Sequence, residues 1–453
     1  MTDLSQWTAA QLGTAYATGD LSPVEATQAA LQAVDTYDDD LRAFAYVDHE
    51  GALAQASASE QRWVAGNALG PLDGVPASIK DLFLTRGMPA LRGSRHTDPN
   101  QPWDTDSPAA AALRAHGLVL LGKTTTAELG WKATTDNAID GITRNPWDRT
   151  LTAGGSSGGS GVAVRTGMGA VSVATDAAGS ARIPAAFCGV VGFKPTHGRI
   201  PMYPPSVLGT LAHAGPMARS VGDVAALTDI LAAPDHRDPA WTPTVGDTTD
   251  LARLRVAFSP SLGRVEVHPE IAAMVAETVA GLGLHVEEAD PGFPDPAATF
   301  DMLWSVGVAH IVRRYGQAFD PGLHALAERG ARHTVADYLD AQSELAALAV
   351  AMGEFHTRFD VLITPTMPIE PFAAGHDVPP DSGMTDWPQW TPFTYPFNMS
   401  RQPALSVPIG RTSSGLPVGI QIVGPRHADQ LVLAVGALVE QSRPVIHYPQ
   451  ESA

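Results

Sequence analysis

Thiols are nearly absent: Cys188 is the one cysteine among 453 residues, which excludes an intrachain disulfide and a cysteine-rich metal site. A reducing cytosol is the plain expectation. No stretch approaches the roughly 20 apolar residues needed to cross a bilayer, and Met1 to Trp7 carries no basic region ahead of an apolar run. The sequence therefore predicts an unexported cytoplasmic protein. Basic charge is also scarce, with 29 Lys+Arg against 48 Asp+Glu and a net charge of −19. Phosphate backbones and anionic membranes are repelled by such a chain, so nucleic acid and membrane are not expected partners and small neutral or cationic molecules are. The 44% of hydrophobic residues suffices for a large buried core.

Lysine is the scarcest charged residue. Of the 29 basic residues four are lysines, Lys80, Lys123, Lys132 and Lys194, and all fall between residues 80 and 194. Where arginine supplies nearly all the solvated positive charge, each lysine stands out, because lysine is the base that readily loses its proton when buried.

What is present alternates between helix and strand. Thr8 with Gln11, and Ser22 with Glu25, spell capping boxes at the starts of two helices, and Pro23 suits a first helical position. A third helix is expected near residues 50–65. Val75, Ala77 and Ile79 alternate as a strand that ends at Lys80; Ser107 caps a helix through Ala115, and Val119 to Leu121 reads as a further strand. Such alternation favours an α/β sheet. Further strands are expected at Val171 to Thr175, Val361 to Thr364, Ala404 to Pro408 and Val418 to Val423, and a last helix near 427–441. Between about 230 and 355 ordinary helical patterns predict an insertion or cap.

Two motif matches fail on context. Gly117 to Thr124, GLVLLGKT, has the Walker A spelling, yet its interior residues read as a strand and not as a phosphate-cradling loop. Gly155, Ser157 and Gly159 spell G-x-S-x-G, but the flanks are glycine-rich and no Asp and His pair follows. The fifteen histidines show no ligand spacing, so no metal and no cofactor is expected. Cys188, in an apolar run, reads as a small core residue.

Residues 152–194 are dominated by glycine, serine and alanine, and between Ala170 and Phe193 the charges are Asp176 and Arg182. Two ions in so apolar a stretch are expected to pair, since an unpaired buried charge costs several kcal/mol. The strand at 171–175 delivers the chain to a turn of small residues, Ala177, Ala178, Gly179 and Ser180, which lets backbone N–H groups reach a ligand.

Lys80, then GGSSGGS at 154–160, then DAAGSARIP at 176–184 form an order that resembles the amidase-signature family. The likeness runs from the N-terminal helices to about residue 230 and resumes with FDVLITPTMP from Phe359, PALSVPIG and GLPVGIQIVGP. It implies one domain over 1–453, an α/β/α sandwich whose central mixed twisted sheet is covered by helices, with the insertion at about 230–355. It implies Ser180 as nucleophile, Ser156 as proton relay after a cis peptide bond from Gly155, and Lys80 as base; the 24-residue spacing of the serines is the family's. The same resemblance gives the oxyanion hole to the backbone N–H groups of Ala177, Ala178, Gly179 and Ser180, with Gly155, Ser157, Asp176 and Arg182 in support. Gly154, Ile183 and Tyr203 are expected at the substrate. Lys123, Lys132 and Lys194 are read as structural ion-pair partners.

The chemistry implied is hydrolysis of C–N bonds in small amides, with aryl amides and carbamates as the finer expectation. An amidotransferase subunit that releases ammonia from glutamine for a tRNA-linked partner is the alternative; Ile183 stands where such subunits carry glutamine. This chain also departs from the family in Ala174 and Ala178, where glycine is usual, and in Ala181. The apolar Met202, Tyr203, Val207 and Leu208 and the aromatic Trp387, Trp390, Phe393, Tyr395 and Phe397 suit either a hydrophobic substrate or the core. The proline-rich segment 201–216 reads as a loop over the site.

Overall fold

The computed structural model describes residues 4–443 apart from 245, 247–249 and 317–318, together with 446 and 448. Eleven strands form one mixed sheet. Across it lie Phe44–Val47, Val119–Thr124, Pro76–Lys80, Val171–Asp176, His213–Ala218, Val191–Lys194, Ala404–Arg411, Pro417–Val423, Val361–Pro365, Arg255–Phe258 and His285–Glu288. Pro76–Lys80 runs parallel to both its neighbours, whereas His213–Ala218 and Val191–Lys194 are antiparallel to theirs. Helices flank this sheet.

The local signals in the sequence act as expected. Both capping boxes form, ahead of Ala9–Thr18 and Pro23–Leu41. Ser107 caps Pro108–Ala115, and His49–Val64 and Asp429–Gln441 are helical. The Walker-like run forms the buried strand Val119–Thr124, so its backbone is committed to a sheet and holds no phosphate cradle.

The period of two in Pro76–Lys80 decides where Lys80 goes. Ala77 and Ile79 join a core that contains Val171 and Val173. Ser78 and Lys80 take the opposite face, where the Ser78 hydroxyl donates to Ser172 Oγ at 2.9 Å.

Two parts of the chain differ from expectation. The region 230–355 is not wholly a helical insertion, because Arg255–Phe258 and His285–Glu288 extend the main sheet in parallel beyond Val361–Pro365. Each is four residues long, too short to show an alternating pattern, and sheet pairing decides the conformation. Pro269–Gly281 packs on the sheet core, and Ala297–Tyr315, Pro321–Gly330 and Val335–Arg358 form the helical cover. In the proline-rich segment, His213 to Pro216 belong to a fully buried strand inside the sheet, so the loop ends at residue 212.

Candidate active site

The two serine segments meet because each opens a helix packed on the same side of the sheet. Ser156 and Ser157 precede Gly158–Thr166, and Ser180 precedes Arg182–Cys188. A helix thus does follow the G-x-S-x-G match; the strand before it is what is lacking. The Gly155–Ser156 peptide is cis, and a side chain at Gly155 would fall 2.2 Å from the Thr134 carbonyl oxygen.

Lys80, Ser156 and Ser180 form a continuous line. Lys80 Nζ lies 2.8 Å from Ser156 Oγ, and Ser156 Oγ lies 3.2 Å from Ser180 Oγ. The lysine makes two further contacts, at 2.8 Å to Ser157 Oγ and 2.8 Å to Thr175 Oγ1. Lys80 is fully buried, and burial drives its amine well below the usual lysine range, with the Asp176 carboxylate opposing. A neutral amine has two N–H donors and one lone pair. Ser157 donates its own proton to the Thr175 carbonyl at 3.2 Å, so it receives one from Lys80. When Thr175 takes the second donor, the lone pair is left to face Ser156. The arrangement can pass a proton from Ser180 through Ser156 to Lys80.

Asp176 and Arg182 pair as the sequence predicts, both without solvent exposure. Every donor of the guanidinium is used: Nε and Nη2 reach Asp176 at 2.9 Å each, Nη2 also reaches Asn398 Oδ1, and Nη1 reaches Gln421 Oε1 and the Thr394 carbonyl. Burial raises the Asp176 carboxyl, but Arg182 outweighs it and holds that group well below the ordinary range.

The turn at 177–180 divides unequally. Gly179 donates its N–H to Asp176 Oδ1 at 2.8 Å; that donor is spent on the turn itself and is not free for an oxyanion. The N–H groups of Ala177, Ala178 and Ser180 bond to no other described residue. Gly179 also takes the positive φ, 119°, while Ala178 does not; alanine at 178 is accommodated because the strain falls one residue later. Thr394 closes the turn from outside, its hydroxyl donating to the Ala178 carbonyl at 2.6 Å.

Ile183 and Gly154 face each other, a side chain at Gly154 falling 3.0 Å from Ile183 Cγ2. The Tyr203 ring lies under the Arg237 guanidinium at 4.6 Å. Trp387, Trp390, Phe393, Tyr395 and Phe397 are all core residues. Lys123 pairs with Asp81 at 3.4 Å, and Lys132 with Asp136 and Asp377 at 2.8 and 2.7 Å. Lys194 departs from the ion-pair reading. It is fully buried with no carboxylate within bonding reach among the described residues, and donates to the Pro195 and Gln402 carbonyls beside His213 Nε2. The amine can stay there because burial depresses its proton affinity well below the usual range, with Arg182 reinforcing the effect.

Sequence reasoning did not find Thr175, Thr394, Asn398 or Gln421. All but Thr175 lie more than two hundred residues from the turn they hold, and although Gln421 falls within GLPVGIQIVGP, nothing local shows that it reaches Arg182. Cys188 is a buried core thiol against the Ala153 carbonyl. No three His, Cys, Asp or Glu side chains gather as a metal site among the described residues, and no helix there is long and apolar enough to cross a membrane.

A large mixed sheet that holds a buried lysine against a serine pair, beside a turn with free backbone donors, has the layout of a hydrolase acting on C–N bonds. The sequence places it further: the Amidase family model matches residues 25–433, and the chain belongs to that family of amidase-signature hydrolases. It is similar to an acylamidase of Rhodococcus erythropolis, 35% identical with 96% of this chain and 95% of the relative covered. It is also similar to a glutamyl-tRNA(Gln) amidotransferase subunit of Chloroflexus aurantiacus, 33% identical with 96% of each covered. Among solved structures, a bacterial aryl acylamidase of the amidase-signature family superposes with TM-score 0.88 at 29% identity, over 96% of both chains.

Proposed function

We propose that the protein hydrolyses small amides bearing an apolar or aryl group, and N-aryl carbamates, through a serine acyl-enzyme. Ser180 is the nucleophile, Ser156 relays its proton, and Lys80 is the base. The observation that carries this reading is the buried line of Lys80 Nζ, Ser156 Oγ and Ser180 Oγ at 2.8 and 3.2 Å.

A serine hydroxyl attacks a carbonyl only when a neighbour accepts its proton. Here the proton moves from Ser180 to Ser156 as Ser156 passes its own to the neutral Lys80. Negative charge develops on the carbonyl oxygen, and the N–H groups of Ala177, Ala178 and Ser180 are the available donors; each such bond contributes roughly 2.7–4 kcal/mol in comparable sites. Ser156 then protonates the departing nitrogen, and water attacks the acyl group by the reverse path. Asp176 and Arg182 take no proton in this scheme and hold the turn.

Apolar Ile183 beside the turn supports an uncharged, hydrophobic group, in keeping with the acylamidase and aryl acylamidase among its relatives. It offers no amide to a glutamine side chain, which favours hydrolysis of free amides over ammonia transfer. The test is a fluorophosphonate trap with peptide mapping, together with turnover of a nitroanilide and an N-aryl carbamate. Label at Ser180 and release of arylamine from both are expected. Release from the anilide alone removes the carbamate claim, and glutaminase activity without either replaces the whole reading.

A further inference from the structure

The Ala178–Gly179 peptide is held from both edges. Its N–H, on Gly179, donates to Asp176 Oδ1 at 2.8 Å, and its carbonyl, on Ala178, accepts from the Thr394 hydroxyl at 2.6 Å. A peptide group is planar, so anchors on opposite edges fix the whole plane. Thr394 and Ala178 are buried, and no second hydrogen bond reaches the Ala178 carbonyl among the described residues. The hydroxyl is itself fixed by its own backbone: the Thr394 carbonyl accepts from Arg182 Nη1 at 3.0 Å, and the Thr394 N–H donates to the Thr391 carbonyl at 3.1 Å. That Thr391 carbonyl also lies 3.0 Å from the hydroxyl, but it already has the N–H, whereas the Ala178 carbonyl depends on the hydroxyl.

The neighbouring peptides differ in how they are held. The one that carries the Ala177 N–H has its carbonyl, on Asp176, bonded to Asn398 Nδ2 at 2.9 Å. The one that carries the Ser180 N–H has its carbonyl, on Gly179, bonded to the Ile183 N–H at 2.7 Å. The Ala177–Ala178 peptide, which carries the Ala178 N–H, has no such bond, since the Ala177 carbonyl accepts from no described residue. Its direction is set through the two peptides it joins, and Thr394 anchors one of them.

We propose that Thr394 is a positioning residue for the oxyanion donors. Through the Ala178 carbonyl its hydroxyl sets the directions of the Ala178 and Ser180 N–H groups, and so acts on the transition state without touching the substrate. The inference rests on the amidase reading above and adds to it a residue 214 positions from the nucleophile. A buried carbonyl stripped of its donor costs stability wherever it lies. Here the peptide that turns to find another donor also swings the Ala178 N–H off the carbonyl oxygen under attack. The loss falls on kcat, because negative charge appears on that oxygen only as the bond to Ser180 forms.

The test compares wild type with Thr394→Val and Thr394→Ser on a nitroanilide, with turnover counted per Ser180 labelled to completion by a fluorophosphonate, so that partial unfolding does not pass for slow chemistry. Thr394→Val removes the hydroxyl at nearly constant volume and is expected to lower kcat by about 10–100-fold, up to the cost of one lost oxyanion donor, with KM within about threefold. Thr394→Ser keeps the hydroxyl and should stay within about threefold of wild type. Thr394→Ala against Thr394→Ser repeats the deletion should the valine variant fail to fold. A second readout is inhibition by 1,1,1-trifluoro-4-phenylbutan-2-one, to whose carbonyl Ser180 Oγ adds, leaving the negative charge on the ketone oxygen and the serine proton in the relay. Its affinity should fall by the same factor as kcat and return with serine. Equal kcat and equal inhibition with and without the hydroxyl, or a loss confined to KM, overturn the role of Thr394 and leave the amidase reading standing. If Ser180 takes the label but the anilide is not cleaved, the inhibitor comparison decides alone. A wild-type protein that takes no label at Ser180 and cleaves no anilide sinks the amidase reading and Thr394 with it.

Discussion

Gly179 donates its N–H to Asp176 Oδ1 at 2.8 Å, and this bond separates the turn's one structural donor from the three that bond to nothing else among the described residues. Gly179→Ala strikes at both functions of the position. A methyl group would fall 2.5 Å from Thr394 Oγ1 on a backbone held at φ 119°, so the turn must shift. The expected result is a loss of about 10²-fold or more in kcat, the cost of one displaced oxyanion donor, with KM changed far less. Steady-state kinetics on a nitroanilide measure it, and a variant with full kcat would show that the turn holds no developing charge.

The proposed relay assigns unequal burdens to its three members. Ser180→Ala is expected to abolish fluorophosphonate labelling altogether. Lys80→Met and Ser156→Ala should retain Ser180 but label it slowly, and each should lower kcat by about 10⁴-fold or more, with the double variant little worse than either single one because the two act as a unit. Additive losses would mean that lysine and middle serine act independently.

The pH profile follows from the direction of the Lys80 shift. Burial lowers the folded-state value, which favours the neutral amine that can accept a proton, and kcat/KM should fall as acid protonates it. An amine with the ordinary value near 10.4 would give activity that rises only in strong alkali. The stability effect has a matching sign: the unfolded chain binds a proton here that the folded chain does not, so this group makes folding more favourable as pH rises towards the unfolded value. A profile whose acid limb is unchanged in a residually active Lys80→Met variant would take the limb away from this lysine.

Buried basic side chains with and without carboxylate partners should respond differently to removal. Arg182→Met leaves the Asp176 carboxylate buried and unmatched, and the expected cost is about 3–5 kcal/mol. Lys194→Met strands only carbonyl oxygens and a histidine nitrogen, so about 1–3 kcal/mol is expected. Urea unfolding monitored by tryptophan fluorescence ranks them, and a larger loss at Lys194 would mean that its amine is charged in the folded protein.

The parts of the site that were legible in the sequence are those whose signal is local or compositional. Lysine scarcity drew attention to Lys80, and strand alternation placed it at the end of Pro76–Lys80. The apolar surroundings of Asp176 and Arg182 required them to pair, as they do. Thr394, Asn398 and Gln421 were invisible because their role is created by chain crossing, over separations of 212 to 239 residues. Arg255–Phe258 was hidden for a related reason: its pairing with Val361–Pro365 supplies the information that four residues lack. The fate of the Gly179 N–H depended on a hydrogen-bond direction that residue types do not encode.

Arg182 draws its acceptors from Asp176, Thr394, Asn398 and Gln421, and that reach imposes an order of events on synthesis. A chain still on the ribosome with residues beyond about 390 inside the exit tunnel has its lysine and both serines outside, but nothing to tether the guanidinium that braces the turn. Hydrolytic competence would then arrive late, as the final strands dock, and the half-made protein would be silent towards the amide bonds of its surroundings.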